Sequence, residues 1–281
     1  MTWRLTSDVE LFEKQAGQFL RSEPVRHTVL LTVVAALRSR GPHVYGTDDP
    51  ILGWWTSPAG SVEGAMLQTP PYPLTLTEVP PEAVPEAAYA IADRGLLNAA
   101  NLLVKDIPAF TDAWLSRAGG TCEAGMRSRL FRLTELTPPD PMPIGAARQA
   151  APSDRALLVD WFSDFYDYIG ERPSDVGPVL DDRLSGDGIT IWEAAGEPVA
   201  MAARSRIEAA MARIQYVYTP PVHRRQGFGG AATTAATRKA LDAGATEVVL
   251  FTDLSNPTSN ALYPRLGYRP IEDRAVVEFS S

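Results

Sequence analysis

At 281 residues with a formal net charge of −8, the chain is long enough for two domains, and its 45% hydrophobic residues can fill two cores. The acidic balance argues against a nucleic-acid partner, the single Cys122 cannot form an internal disulfide, and no apolar run is long enough to cross a bilayer. We therefore predict a cytoplasmic protein with no membrane partner, and its start does not resemble a signal peptide. The oligomeric state stays open between monomer and homodimer.

The first half is predicted to begin with a strand over 2–6 and a helix that starts at a capping box of Ser7 and Glu10. Hydrophobic periodicity and turn residues then predict a helix over 25–37, strands over 51–56, 62–68 and 74–79, a helix over 85–93, a strand over 101–105, a helix over 109–117 and a strand over 122–134.

A proline-rich segment over 138–143 reads as a linker, and beyond it the order of elements starts again. The second half is predicted to have a strand over 143–148, a helix capped by Ser153 and reaching Ile169, a short helix over 179–184, strands over 189–193, 198–206 and 212–219, an alanine-rich helix, and a strand over 247–252. The repeat predicts two similar α/β domains in tandem, over 1–137 and 144–281.

A glycine-rich loop separates the strand over 212–219 from the alanine-rich helix, and it reads Arg224-Arg225-Gln226-Gly227-Phe228-Gly229-Gly230. Glycines let the backbone approach a ligand, and a helix start presents N–H groups with a positive dipole end, so the loop predicts a phosphate site. No Lys-Ser or Lys-Thr follows, which excludes a Walker loop, and the spacing does not fit a dinucleotide fingerprint.

The loop resembles the acyl-CoA loop of the GNAT superfamily of N-acyltransferases, whose motif is Gln/Arg-x-x-Gly-x-Gly/Ala. A second stretch, Asn256-Pro-Thr-Ser-Asn-Ala-Leu-Tyr-Pro-Arg-Leu-Gly-Tyr268, is similar to the closing segment of that superfamily, with Pro264 as a departure. The two motifs stand in the family order. The resemblance implies two tandem GNAT-like domains, each an α/β fold with a mixed, mostly antiparallel central sheet flanked by helices.

The resemblance also implies acetyl-CoA as cosubstrate. It assigns Tyr263 as the proton donor to the departing thiolate, backbone groups near Val217 to the thioester, and Asn256 to the pantetheine. The cofactor-binding residues that it implies are Val217, Tyr218, Thr219, Arg225, Gln226, Gly227, Phe228, Gly229, Gly230 and Asn256. The base for the attacking amine stays open among Glu193, Glu208 and Asp253, and no residue cluster has metal-ligand spacing.

The first half lacks these motifs, because two prolines followed by Glu82 and Glu86 stand where the second half has glycines and arginines. We predict a first domain that does not bind the cofactor and a second that acetylates the primary amine of a small molecule by direct attack. Aspartates on the first two helices of the second domain are expected to attract a cationic amine. The alternatives are a protein lysine or N-terminal acetyltransferase, and a non-catalytic acetyl-CoA sensor.

Overall fold

The computed structural model describes residues 2–95, 97–169 and 176–280, with the side chain of Tyr168 left out. The chain divides into two compact units. Unit 1 comprises Met1–Leu130, Asp253–Ser255 and Ile271–Ser281, and unit 2 comprises Phe131–Thr252 and Asn256–Pro270. By contact, residues 131–137 group with unit 2 and Ile271–Ser281 groups with unit 1, whereas the sequence analysis placed them in the first and second predicted domains.

The helices and strands follow the predicted order. The first half has β1 (Thr2–Thr6), α1 (Val9–Ser22), α2 (Thr28–Arg40), β2 (Ile51–Thr56), β3 (Val62–Gln68), β4 (Leu74–Leu76), α3 (Ala83–Ala92), β5 (Ala99–Leu103), α4 (Ile107–Ala118) and β6 (Thr121–Leu133). The second has β7 (Ala146–Gln149), α5 (Arg155–Ile169), α6 (Gly177–Ser185), β8 (Ile189–Ala194), β9 (Glu197–Arg204), β10 (Met211–Tyr218), α7 (Phe228–Asp242), β11 (Glu247–Asp253), α8 (Pro257–Arg265) and β12 (Tyr268–Ser280).

In unit 1 the strands are ordered β1-β2-β3-β4-β5, and the part of β12 from Ile271 onward lies next to β5. All these neighbours are antiparallel except β4 and β5, which are parallel. Trp54 and Trp55 are successive residues of β2 and point to opposite faces, yet only 5% and 1% of their surfaces are exposed. Both faces of the sheet are therefore covered.

In unit 2 the strands β7, β8, β9 and β10 are antiparallel neighbours, and β11 pairs parallel with β10. Alternate residues of β9 pack in two different cores, one on each face of the sheet. Ala200 and Ala202 pack in the core that contains α7, whereas Met201 and Ala203 pack with residues of α5 and α6. The predicted mixed, mostly antiparallel sheet with helices on its faces is confirmed.

Two helix starts differ from the prediction. The N-cap of α1 is Asp8, whose Oδ1 accepts from the N–H groups of Glu10 and Leu11, so the expected Ser7 cap was wrong. Before α5 a single 3₁₀ turn over Pro152–Asp154 replaces the Ser153 cap, and Asp154 accepts from the Ala151 N–H at 2.7 Å. Asp8 and Asp154 accept these hydrogen bonds instead of Ser7 and Ser153, because an ionised carboxylate forms a stronger hydrogen bond with a backbone N–H than a hydroxyl does.

No helix within the described ranges combines the length and the apolar character that a membrane crossing needs.

Candidate functional site

The parallel strands β10 and β11 separate part-way along their length. They pair from Met211 opposite Glu247 to Ile214 opposite Leu250, and the pairing then stops although both strands continue. Beyond this point Tyr216 has a positive φ of 51°, and the register of β10 with β9 shifts between Gln215 and Tyr218. A non-glycine residue in this conformation is uncommon and concentrates at functional sites. The strand pair therefore opens at a bulge.

The bulge turns two successive side chains, Gln215 and Tyr216, to the face that α5 and α6 cover. Gln215 approaches Arg183 of α6, and the ring of Tyr216 lies 4.6 Å from that of Phe162 of α5. Val217 instead packs with the core around α7. The extra residue thus reverses the alternation of the strand, as a β-bulge does.

Tyr218 faces α5 again, and its buried hydroxyl donates to Asp164 Oδ2 at 2.8 Å. Burial, followed by the hydrogen bond to Asp164, raises the pKa of Tyr218 to about 12. The hydroxyls of Tyr216 and Tyr166 lie 3.0 Å apart beside this pair. The face of the bulge toward α5 is therefore an aromatic wall with hydroxyl groups.

A 3₁₀ turn over Pro221–His223 follows β10, and the glycine-rich loop then leads into α7. Arg225 has a φ of 62° and Gly227 a φ of 84°, and Gly227 is the N-cap of the helix. Because Gly227 has no side chain, it caps none of the N–H groups in the first turn of α7. Arg224, Arg225 and Gln226 are exposed around this helix start. The arrangement suits an anion.

Two of the loop glycines lie against neighbouring groups. A Cβ on Gly229 would lie 3.2 Å from Thr219 Oγ1, and one on Gly230 would lie 3.2 Å from Leu262 Cδ1. Phe228, by contrast, turns its side chain into the core and is 4% exposed. Among the predicted binding residues, Phe228 can therefore offer a ligand only its backbone.

Most of the second motif forms α8. Asn256 is its N-cap, and the Asn256 Oδ1 accepts from the Ser259 N–H at 3.2 Å. Pro264 lies in the last turn, where the Leu266 N–H donates to Leu262 and Tyr263 carbonyls at 3.3 and 3.1 Å. The helix thus ends in a tighter turn next to the proline.

Tyr263 is 6% exposed and packs between the rings of Phe131 and Tyr268, with ring centroids 6.5 and 6.0 Å away. Burial raises the pKa of its hydroxyl well above the ordinary value. Tyr268 differs in its hydrogen bonding, because its hydroxyl lies 2.6 Å from Thr237 Oγ1. The phenol of Tyr263 is therefore neutral and keeps its proton.

Two of the three candidate bases are engaged elsewhere. Glu193 accepts from Arg148 Nε at 2.7 Å, and Asp253 accepts from the N–H and hydroxyl of Ser255 at 2.7 and 2.6 Å. The aspartates of α6 are also held, Asp181 by Arg155 and Asp182 by Arg183. In the described part of the chain, no group of three or more His, Cys, Asp or Glu side chains could hold a metal ion.

Unit 1 fills the equivalent opening with an arginine. Its parallel strands β4 and β5 pair only at Leu74–Ala100 and Thr75–Asn101. Arg274, 3% exposed, donates from Nη2 to the carbonyls of Leu76 at 2.5 Å and Asn101 at 2.9 Å. The guanidinium thus bridges the two strands where their pairing ends. β4 accordingly stops at Leu76, three residues before the predicted end.

Comparisons with known proteins agree with this geometry. Residues 155–268 match the family model described as Acetyltransferase (GNAT) family. The fold resembles a Drosophila protein (TM-score 0.71, 12% identity, 99% of this chain and 98% of that one). It also resembles a GCN5-related N-acetyltransferase from Sphaerobacter thermophilus (TM-score 0.63, 15% identity, 98% of this chain and 94% of that one). A third similar structure is a tandem GNAT protein from the clavulanic acid biosynthesis pathway (TM-score 0.55, 14% identity, 99% of this chain and 98% of that one).

A search of curated proteins found no significant match. At the identities quoted, the solved structures establish the fold, and the family model adds the sequence signature. Residues 155–268 therefore carry the sequence signature of the GNAT acetyltransferase family, and the chain as a whole has the fold of the tandem GNAT protein.

Proposed function

We propose that unit 2 transfers the acetyl group of acetyl-CoA to the primary amine of a small molecule by direct attack. The carrying observation is the opening between β10 and β11, because its last paired residues, Ile214 and Leu250, share one core with Phe228 at the uncapped start of α7 and with the buried Tyr263. An extended thioester whose phosphates sit on the helix start would follow the open strand. Its reactive carbon would then lie near the bulge.

Each end of the cofactor has a proposed set of partners. Arg225, Gln226 and the backbone of 227–230 bind the pyrophosphate through charge and N–H groups. Backbone groups of Val217, Tyr218 and Thr219 pair with the pantetheine as a strand would, and Asn256 contacts it from α8. The exposure of Arg225 and Gln226 and the positive φ of Gly227 support this assignment.

The chemistry then needs three things from the chain. A backbone N–H near Val217 polarises the thioester carbonyl and stabilises the negative charge that develops as the neutral amine attacks. Collapse of the tetrahedral intermediate breaks the carbon–sulfur bond, and Tyr263 donates its proton to the thiolate. The attacking nitrogen loses a proton to a carboxylate or to water, and solvent returns a proton to Tyr263. Burial raises the pKa of the phenol and so makes it a weaker acid, and what supports the proposed role is the place of Tyr263 in the core that also contains Ile214 and Leu250, the last paired residues of β10 and β11.

Gly229→Glu is expected to remove acetyl-CoA binding. The new side chain would crowd Thr219 and place a carboxylate where the pyrophosphate belongs. Calorimetry should give one site per chain for the unchanged protein and none for this variant. Ala243→Glu, at the exposed far end of α7, adds the same charge and should bind normally. Two equivalent sites per chain would contradict the assignment to unit 2 alone.

The function itself is tested by incubating the full chain with acetyl-CoA and a panel of small amines, with release of free thiol as the readout. Transfer to several primary amines is the expected result. Efficient labelling of lysine peptides in preference to free amines would move the function to protein acetylation. Binding of acetyl-CoA without transfer to any acceptor would favour a sensor.

A further inference from the structure

Arg225 of the glycine-rich loop has a backbone conformation that its own side chain disfavours. Its φ of 62° lies in the left-handed region, and non-glycine residues stay in that region only where the surrounding structure holds them there. Gly227, with a φ of 84°, adopts the same region without strain. The conformation of Arg225 therefore needs support from its surroundings, and the contacts of the preceding residue, Arg224, can give it.

The side chain of Arg224 folds back to the end of β10. Arg224 Nε donates to the carbonyl of Thr219 at 3.0 Å, five residues earlier in the chain. The far end of the loop returns to the same residue, because a Cβ on Gly229 would lie 3.2 Å from Thr219 Oγ1. The segment from Thr219 to Gly229 is therefore closed at Thr219, with Arg225 inside it.

Tyr218 connects this closed segment to α5. Its hydroxyl donates to Asp164 Oδ2 at 2.8 Å, and an ionised acceptor makes the hydrogen bond a strong one. Burial and then Asp164 raise the pKa of Tyr218, and Arg224 lies near enough to the same hydroxyl to lower it. Asp164 and Arg224, which carry opposite charges, therefore meet at one phenol.

The phenol of Tyr218 has a fixed orientation. Its ring is buried against α5, with the centroid of the Trp161 ring 6.0 Å away, and the exposed Asp164 holds its hydroxyl from the same helix. A fixed hydroxyl gives the side chain of Arg224 a fixed neighbour beside the Thr219 carbonyl. These contacts limit the conformations that are open to the next residue, Arg225.

We propose that Asp164 and Tyr218 are positioning residues for the cofactor; this inference rests on the function proposed above. By way of Arg224 they hold Arg225 and the start of α7 in the conformation that receives the pyrophosphate. Arg225 contacts the phosphates, whereas Asp164 and Tyr218 act through the loop. Because the loop is ordered before acetyl-CoA arrives, binding does not have to order it, and the affinity is higher for that reason.

The test uses Tyr218→Phe, which removes the hydroxyl and keeps the ring, and Asp164→Asn, which removes the charge of the acceptor. Calorimetry with acetyl-CoA should show an affinity roughly 5- to 30-fold lower for Tyr218→Phe, the factor that one or two ordinary hydrogen bonds produce, and a smaller loss for Asp164→Asn. In steady state the loss should fall on KM for acetyl-CoA rather than on kcat. Asp160→Asn, an exposed position one turn earlier on α5, is the matched control and should bind acetyl-CoA normally.

Arg225→Gly separates positioning from a general loss of structure. Glycine adopts a φ of 62° without strain, so this variant no longer needs the support of Tyr218. It should bind acetyl-CoA more weakly by itself, because a charge is lost, and adding Tyr218→Phe should then cause little further loss. An equal fold-loss from Tyr218→Phe with arginine and with glycine at position 225 would overturn the proposal.

The same measurements distinguish this inference from the function on which it rests. If the unchanged protein does not bind acetyl-CoA, the proposed function fails and this inference with it. If the unchanged protein binds acetyl-CoA and Tyr218→Phe binds it equally well, this inference alone is overturned.

Discussion

Tyr263→Phe is expected to slow acetyl transfer by ~10²–10⁴-fold, the usual contribution of a general acid, while acetyl-CoA still binds nearly as tightly. Only a hydroxyl is lost, and the ring keeps its packing against Phe131 and Tyr268. Since the thiolate gains its charge only as the thioester breaks, the effect should fall on kcat. Steady-state release of free thiol measures the rate, and calorimetry measures the binding.

Tyr268→Phe is the matched control for this experiment. Tyr268 is also buried and lies next to Tyr263, but its hydroxyl is hydrogen-bonded to Thr237. The control should lose stability, because the Thr237 hydroxyl is left buried without its partner, and should keep the transfer rate per folded molecule. Full turnover in Tyr263→Phe would show that water or another group protonates the thiolate.

Arg274→Met is expected to destabilise unit 1 by about 3–5 kcal/mol, the range for breaking a buried charged network by removing one partner. Methionine keeps much of the apolar stem but gives no donor to the carbonyls of Leu76 and Asn101. Glu272, itself nearly buried, would lose one of its two arginines and keep Arg26. Urea unfolding followed by tryptophan fluorescence measures the shift in midpoint.

Arg117→Met serves as the comparison. Arg117 pairs with Asp93, and both side chains are more than half exposed, so its loss should cost less than about 1 kcal/mol. A similar small effect for Arg274→Met would show that the guanidinium does not hold β4 and β5 together. Acetyl-CoA should still bind once per chain in both variants, because removing the arginine does not create a glycine-rich loop in unit 1.

The sequence predicted the features that depend on neighbouring residues. Glycines at 227, 229 and 230 and the motif from Asn256 to Tyr268 are short patterns, and they led to the α7 helix start and to the buried Tyr263. The order of the elements came from periodicity in the same way. The cap of α1 was misassigned because Ser7 and Asp8 are both common cap residues, and only the hydrogen bonds distinguish them.

Features that depend on distant contacts could not be read from the sequence. Arg183 of α6 and Gln215 of β10 are distant in sequence and form no motif, so only the fold brings them into contact. The bulge at Tyr216 could not be predicted from the sequence either, because a tyrosine within a β-branched and aromatic run is typical of a regular strand. The role of Arg274 required knowing that β12 pairs with β5.

The pairing of β5 with Arg274–Glu278 has a consequence for how the protein is made. Ribosomes deliver a chain from its N-terminus, and domains generally fold as they emerge. Unit 1 cannot do so, because its strand from Ile271 onward follows the whole of unit 2 in the sequence. During that interval β5 presents an unpaired edge, the kind of surface that invites aggregation. A nascent chain that stalls at Pro270 would therefore leave the N-terminal unit unfinished, although the missing residues lie far from it in sequence.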